Sequence, residues 1–329
     1  MWNLAFWTGI FILGYLIIFF SADIFLDNLK ELCIMYNISP FIVGLLILGI
    51  DPEESIASIV AAANGLPYIA IGNVIGNSII ALTLCFAIPA FFYKIEVESI
   101  PQFYFIIIYT SMIFILIGFL IYLGLFIFGI LALILYFLYL FRNLRHFSKE
   151  GITHIIIDEE NKEKVKFARF QSKKSSKMKK IVLVIISFIF IIIGGELLII
   201  ATKELIIITQ IPEAFFGFII IAFVTNVEEL TLVFKSIKKQ IIKIGFGGMI
   251  GKLIWNLTIT FGISGVIASN INFTWILIWN WFILFGIIIY FNIISKKKFI
   301  GKKDGIILML FFITFLIVNL LTFGLTYKN

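Results

Sequence analysis

Charge is scarce in this chain. Of its 329 residues only 14% are Asp, Glu, Lys or Arg, against roughly 25% in soluble domains. With 61% apolar residues, that excludes an ordinary soluble fold. Cysteine and histidine are scarcer still, two of each. Cys33 and Cys85 have no metal-ligand or redox spacing and read as small apolar residues. His146 and His154 fall in a polar stretch, where a metal role has nothing to support it. Without a His/Cys/Asp cluster or a nucleophile pair, the chain does not read as an enzyme. The phosphate-binding pattern Gly-x-x-x-x-Gly-Lys-Ser/Thr is missing too, which argues against an ATP-driven pump. Short alternating segments, as a β-barrel needs, are not visible. The first 20 residues carry no basic stretch, so they read as a retained span rather than a cleaved signal.

What the chain has in abundance is apolar runs of about 20 residues, each long enough to cross a bilayer. The expected fold is therefore an all-α polytopic membrane protein. Ten spans are expected, near 2–20, 40–64, 67–92, 102–119, 122–141, 181–202, 212–234, 241–268, 273–294 and 305–325. The fourth and fifth divide one long run near Gly118 to Gly124. Ser39-Pro40 suits the start of a helix, Ser as the cap and Pro at the first helical position. Ile211-Pro212-Glu213 opens a later span in a similar way. The 38 phenylalanines suit lipid-facing surface and packing. Trp275, Trp279 and Trp281 suit an interfacial belt.

Charge sets the expected orientation. Residues 142–180 hold 12 Lys/Arg and 5 Asp/Glu, equal to the whole net charge of +7. Basic residues favour the cytoplasmic side. A cytoplasmic loop there leaves five spans on each side of it and both termini outside. The other loops agree: 23 of the 26 basic residues then lie inside, with Lys203 and Lys328 outside and Lys252 within a span. The expected organisation is a first five-helix repeat over 1–141, a basic cytoplasmic loop over 142–180, and a second repeat over 181–329. An odd number of spans per half inverts the second half relative to the first, the plan of many secondary transporters with a midplane site.

The chain turns on residues 44–81. Asp51, Glu53 and Glu54 lie in the middle of an apolar span, around Pro52. The run Gly72-Asn73-Val74-Ile75-Gly76-Asn77 follows in the next. A weaker copy lies downstream. Glu228-Glu229 parallels Glu53-Glu54, Gly217 parallels Gly44, and Gly247-Gly248-Met249-Ile250-Gly251 parallels the glycine run. Ser21-Ala22-Asp23 and Gly194-Gly195-Glu196 match as well. A carboxylate at mid-membrane costs about 2.5–3.5 kcal/mol on insertion scales and marks function by default. Glu54 lies 14 residues past Pro40 and 10 before Asn64, near mid-span at about 1.5 Å per residue. Asp51-Pro52 is expected to interrupt its helix and free oxygens for a cavity. Carboxylate, amide and carbonyl oxygens suit hard cations such as Ca²⁺ or Na⁺. The glycines suit close helix approach around that cavity.

At these residues the chain resembles the cation/Ca²⁺ exchanger superfamily, which includes the sodium/calcium exchangers. That family has two inverted five-helix halves. Each carries a Gly-Thr-Ser-x-Pro-Glu motif and a Gly-Asn-x-x-Gly-Ser-Asn motif. Gly49-Ile50-Asp51-Pro52-Glu53-Glu54 and Val224-Thr225-Asn226-Val227-Glu228-Glu229 stand at the first motif. Gly72 to Ser78 and Gly247 to Leu253 stand at the second. The resemblance implies that Glu54 and Glu229 bind the transported cations. It places Asp51, Thr225 and Asn226 at neighbouring ligand positions, Asn77 at a Ser position and Asn256 at an acidic or amide position. Asn73 and Asn77 would line the site, with Glu53 and Glu228 either joining it or facing neighbouring helices. Ile50 and Ala81 depart from the pattern, having no ligand atoms. The stretch from Gly44 to Glu54 is two residues shorter than that from Gly217 to Glu229, which leaves open which of Glu53 and Glu54 faces the cavity. Lys252 replaces a small polar residue. It could pair with Glu229 or Glu228, take a cation's place, titrate, or snorkel to an interface.

The resemblance implies a secondary cation antiporter in the cytoplasmic membrane of a prokaryote, exchanging Ca²⁺ for Na⁺ or H⁺. A proton-coupled or non-Ca²⁺ transporter modified by Lys252 is the alternative, as is a non-transporting scaffold or sensor. No cofactor is expected. The expected partners are membrane lipid and inorganic cations, without nucleic acid. The oligomeric state is open, a monomer being compatible.

Overall fold

In a computed structural model the described residues are 2–35, 51–97, 100–149, 177–226, 229–230, 233–234, 237, 242–297 and 299–326. Apart from one two-stranded ribbon, the regular structure is helical. Helix α1 is Trp2–Met35, α2 Pro52–Ala63, α3 Pro67–Leu82 and α4 Leu84–Phe92. Strand β1, Ile95–Glu96, precedes α5 (Gln102–Leu120) and α6 (Gly124–Lys149). Helix α7 is Lys177–Thr209, and α8 is the short apolar helix Glu213–Thr225. Helix α9 covers 242–268, α10 is Trp275–Ile294, and strand β2 (Phe299–Ile300) leads into α11 (Lys302–Thr326). Among the described residues eight helices are long and apolar enough to cross a membrane, so this is a multi-pass membrane protein. The sequence between α1 and Asp51 lies outside the described residues.

The long apolar run 103–141 divides where expected, between Leu120 and Gly124. Three other expectations change. Helices α1 and α7, of 34 and 33 residues, run well past the spans 2–20 and 181–202. At 1.5 Å per residue each is about 50 Å long, more than the hydrocarbon core requires. The span expected over 67–92 keeps those bounds but is interrupted inside at Thr83, whose φ of −98° and ψ of −76° end α3. The Thr83 hydroxyl donates to the Ile79 carbonyl at 2.5 Å, a local bond that bends helices. The tryptophan belt holds only in part. Trp275 and Trp279 are exposed, but Trp281 is buried and donates its indole N–H to the Met112 carbonyl at 2.8 Å.

In lipid, apolar side chains gain little by leaving the solvent, so small residues and polar contacts decide which helices pair. Helices α1 and α7 pack along their length, with Gly14 against Gly194 and the Leu198 backbone. Lys180 joins Glu31 at 2.6 Å near one end of the pair. Both helices present wide apolar faces outward. The centre is different. Helix α3 is buried on nearly all sides and lies between α2, α8, α9 and α10. A Cβ at Gly72 would sit 3.1 Å from the Phe218 nitrogen, and one at Gly217 2.7 Å from Ile69 Cα. Helices α3 and α8, one from each half, thus meet backbone to backbone.

Their ends are tied as well. The Glu213 carboxylate accepts from the Tyr68 amide at 2.8 Å and the Ile69 amide at 3.3 Å. It satisfies two of the donors that this helix start leaves open, Pro67 having none. The second half is wound differently from the first. Residues Phe216–Ile221 of α8 and Asn256–Thr260 of α9 are π-helical. A π turn is wider than an α turn and accommodates about one extra residue. The turn in α8 lies in the stretch that is two residues longer than its counterpart. The antiparallel pairing of β1 with β2 matches Ile95 to Ile300, joining a connection in the first half to one in the second. Ile155 to Ile157, a conceivable strand by sequence, lies outside the described residues.

Candidate functional site

Asp51-Pro52 positions the first half of the site. Proline fixes φ and lacks an N–H, so it suits the first turn of a helix and no later position. Asp51 is extended, with φ −117° and ψ 95°, and α2 starts directly after it. Its Oδ1 accepts from the Glu54 amide at 3.1 Å, as a capping carboxylate does. The other oxygen, Oδ2, is left to face the centre. Glu54, in the first turn of α2, is fully buried. From the other half, α8 ends at Thr225 and Asn226 (φ −92°, ψ 0°) turns the chain. Glu229 follows and is also buried. Carboxylate oxygens of Asp51, Glu54 and Glu229 lie within 4.8 Å of one another. Among the described residues this is the one group of at least three acidic, Cys or His side chains so disposed.

Lys252 of α9 reaches into this group. Its Nζ is 2.5 Å from Asp51 Oδ2 and 2.7 Å from Glu54 Oε1, and it donates to Glu229 Oε1. The side chain is buried and does not snorkel. Sequence anticipated a pairing with Glu229 but not the contacts to Asp51 and Glu54. Breaking a buried ion pair by removing one partner costs about 3–5 kcal/mol, so this cluster holds three segments together.

Amides complete the site, and all donate their N–H groups to the protein. Asn77 of α3 donates to Glu54 Oε1 and to Thr225 Oγ1, the latter at 3.0 Å. Asn73 donates to Ser58 Oγ at 2.9 Å and to the Glu54 carbonyl at 3.3 Å. Asn226 donates to the Asn77 and Ala222 carbonyls, and Asn256 to Ser78 Oγ and the Val74 carbonyl at 3.1 Å each. With the nitrogens so used, the oxygens are left over. Asn73 Oδ1, Asn77 Oδ1, Asn226 Oδ1, Asn256 Oδ1, Glu54 Oε2 and Glu229 Oε2 are buried without a hydrogen-bond partner. Buried polar atoms are rarely left so, and all six belong to residues in or around the carboxylate cluster. A cavity of ≈ 10 Å³, bounded by Asn77, Ser78, Ala81, Lys252 and Asn256, has room for about one water-sized particle.

The structure thus brings together Asp51, Glu54, Asn73, Asn77, Thr225, Asn226, Glu229, Lys252 and Asn256. Of the two neighbouring glutamates, Glu54 joins the carboxylate group and Glu53 does not, although Glu53 is buried. Glu228 lies outside the described residues. Cys85 is buried and unbridged, with its sulfur 3.9 Å from the Asn226 carbonyl. The hydroxyls escaped sequence reasoning. Ser55 Oγ lies 2.8 Å from Thr260 Oγ1 and accepts from the Trp255 indole at 2.9 Å. Ser58 and Ser78 hold amides of the site. The available signal was the spacing of Ser55 and Ser58, three apart on a helix of otherwise small residues.

The profile of the family described as "Sodium/calcium exchanger protein" matches residues 6–145 and 179–321. The uncharacterised membrane protein MJ0091 of Methanocaldococcus jannaschii is 27% identical over 250 residues, covering 74% of this chain and 76% of its own. Among solved structures, the sodium-calcium exchanger NCX_Mj soaked with 10 mM Na⁺ and 10 mM Sr²⁺ superposes with a TM-score of 0.57. The identity is 22%, over 94% of this chain and 97% of that one. The same exchanger in 2.5 mM Na⁺ and 0.1 mM Ca²⁺ gives a TM-score of 0.55 at 22% identity, over 94% and 96%. The helical arrangement, with its two repeats, is therefore the exchanger fold. With the family profile matching most of both halves, the chain belongs to the sodium/calcium exchanger protein family.

Proposed function

We propose that this chain exchanges Ca²⁺ for Na⁺ or H⁺ at the cluster of Asp51, Glu54 and Glu229. Membership of the exchanger family makes it a cation antiporter, a transporter and not an enzyme. One observation carries the reading of the site. Three buried carboxylates and four unpartnered amide oxygens converge where α2 and α3 of one half meet α8 and α9 of the other. Hard cations take six to eight such oxygens. Competing cations would share Glu54 and Glu229, so that one species is neutralised at a time; that mutual exclusion couples their movements. The two halves would rock about this point to open it to each side in turn. Gly72 and Gly217, where backbone touches backbone, would be the pivot. The membrane is proposed to be the cytoplasmic one, with loop 142–180 inside and both ends of the chain outside, from the distribution of basic residues. The proposed partners are lipid and the transported cations.

The test is uptake of ⁴⁵Ca²⁺ into liposomes carrying the purified protein, driven separately by outward Na⁺ and H⁺ gradients. Uptake with one gradient, lost in Glu229→Gln, supports the proposal and names the counter-ion. Absence of uptake of Ca²⁺ and of other cations in every variant would move the chain to a non-transporting role.

A further inference from the structure

The cluster contains a cation of its own. An ammonium has three N–H donors and no acceptor, and the Lys252 ammonium faces three carboxylates: Asp51 at 2.5 Å, Glu54 at 2.7 Å, and Glu229 by a hydrogen bond. The match of three donors to three acids uses the group fully. Lys252 sits in α9, held on both sides by packed helix, and is bound covalently to the chain. It cannot leave with the cargo. Three carboxylates whose oxygens lie within 4.8 Å of one another carry three negative charges when ionised; the ammonium cancels one. Two remain, beside six oxygens with no partner.

We propose that Lys252 is a tethered counter-ion that sets the charge of the transport cycle. With it in place, two positive charges balance the site. One divalent cation, or two monovalent ones, leaves the loaded protein neutral at the cluster, and the exchange moves no net charge across the membrane. This deepens the proposed function and rests on the cluster being the transport site. It gives Lys252 a role as a specificity-determining residue, through charge count rather than through direct ligation. A site of the same three carboxylates without the lysine would need three positive charges. Exchange of one divalent against three monovalent cations would then carry one charge per cycle.

The experiment measures the ⁴⁵Ca²⁺ accumulation ratio in proteoliposomes under a fixed Na⁺ or H⁺ gradient. The membrane potential is clamped with K⁺ and valinomycin. One charge per cycle changes that ratio about 50-fold per 100 mV; an electroneutral cycle leaves it unchanged. The parent is expected to be insensitive to potential. Lys252→Ser is expected to become sensitive by about that factor. The double variant Lys252→Ser with Asp51→Asn restores the count of two and is expected to be insensitive again. Removing the lysine alone leaves acids unpaired, so the double variant also keeps the test alive if Lys252→Ser fails to fold. A potential-sensitive parent, or a Lys252→Ser protein as insensitive as the parent, overturns the counter-ion. Flux in Lys252→Ser with none in the parent also overturns it, in favour of a lysine that plugs the site, and leaves the transport reading standing. No flux in any variant, with ²²Na⁺ as a second probe, overturns both.

Discussion

The two repeats build one site from unequal parts. The first contributes two carboxylates of the cluster, Asp51 and Glu54, and no cation. The second contributes one carboxylate, Glu229, and one ammonium, Lys252. Their backbones differ in the same sense. The first reaches the centre through a proline-started helix with an aspartate cap. The second gets there through a π turn and a helix that stops at Asn226. The glycines around the centre are not all used alike. Gly72 and Gly76 lie against the backbone of α8, while Gly248 has nothing within 4 Å of where a Cβ would stand. A shared frame thus fixes where the two helix pairs cross, and each copy has specialised around that crossing. Two of the three clustered acids lie in the first, the compensating charge and the irregular winding in the second.

That contrast can be broken at its strongest point first. Glu54→Gln removes an acid from the first repeat's side of the cluster, leaving Lys252 with one partner fewer. Cation-driven flux in liposomes is expected to fall by about a hundredfold or more, matching the roughly 3–5 kcal/mol of a broken buried pair. The glycine comparison comes next. At Gly217 a Cβ meets Ile69 Cα and the Tyr68 carbonyl at 2.7 Å each, both backbone atoms of a helix that cannot retreat. Gly217→Ala is expected to lose about 1–3 kcal/mol by overpacking, read as a lower midpoint of thermal unfolding in detergent. Gly248→Ala is expected to stay within about 0.5 kcal/mol of the parent. Equal effects at both glycines would show that the approach of the α3 backbone does not set the cost of a Cβ at Gly217.

Asn256 offers a finer test. Its amide ties α9 to Val74 and Ser78 of α3, and its Oδ1 is one of the unpartnered oxygens. Asn256→Ala is expected to weaken stability by about 1–3 kcal/mol, leaving buried acceptors unmet, and to reduce the thermal protection that added Ca²⁺ gives. Smallest is Glu213→Gln. The side chain keeps an acceptor for the Tyr68 amide but loses its charge at a helix start, worth about 0.3–1 kcal/mol. Calcium uptake is expected to persist, with only a slight drop in unfolding temperature.

Much of this was open to reading in the sequence, for definable reasons. Hydrophobic length marks spans directly, because backbone in lipid must be helical or a closed barrel. The split of 103–141 was legible from Gly118 to Gly124. Asp51-Pro52 was legible as a place where a helix is interrupted; that a helix starts directly after Asp51 came from the structure. The lengths of α1 and α7 were not legible, since hydropathy reports where a helix is buried in lipid and not where it ends. The break at Thr83 lay in residues that give no warning, being ordinary inside an apolar helix. The choice between Glu53 and Glu54 depended on rotation about a helix whose preceding turn varies between the copies.

Composition and pattern alone determined that this chain spans a membrane many times and holds acids at the middle of two spans, because unpaired charge in hydrocarbon is too costly to occur without a use. Only the tertiary structure decided the company those acids keep. Lys252 could have reached an interface or a single glutamate as far as its position along the chain allowed. It faces Asp51, Glu54 and Glu229 together because α2, α9 and the segment after α8 are brought to one point by the glycine contact of α3 with α8. Charge compensation in a buried site is a property of three-dimensional neighbours, and two of these, Asp51 and Glu54, lie about two hundred residues from Lys252 along the chain.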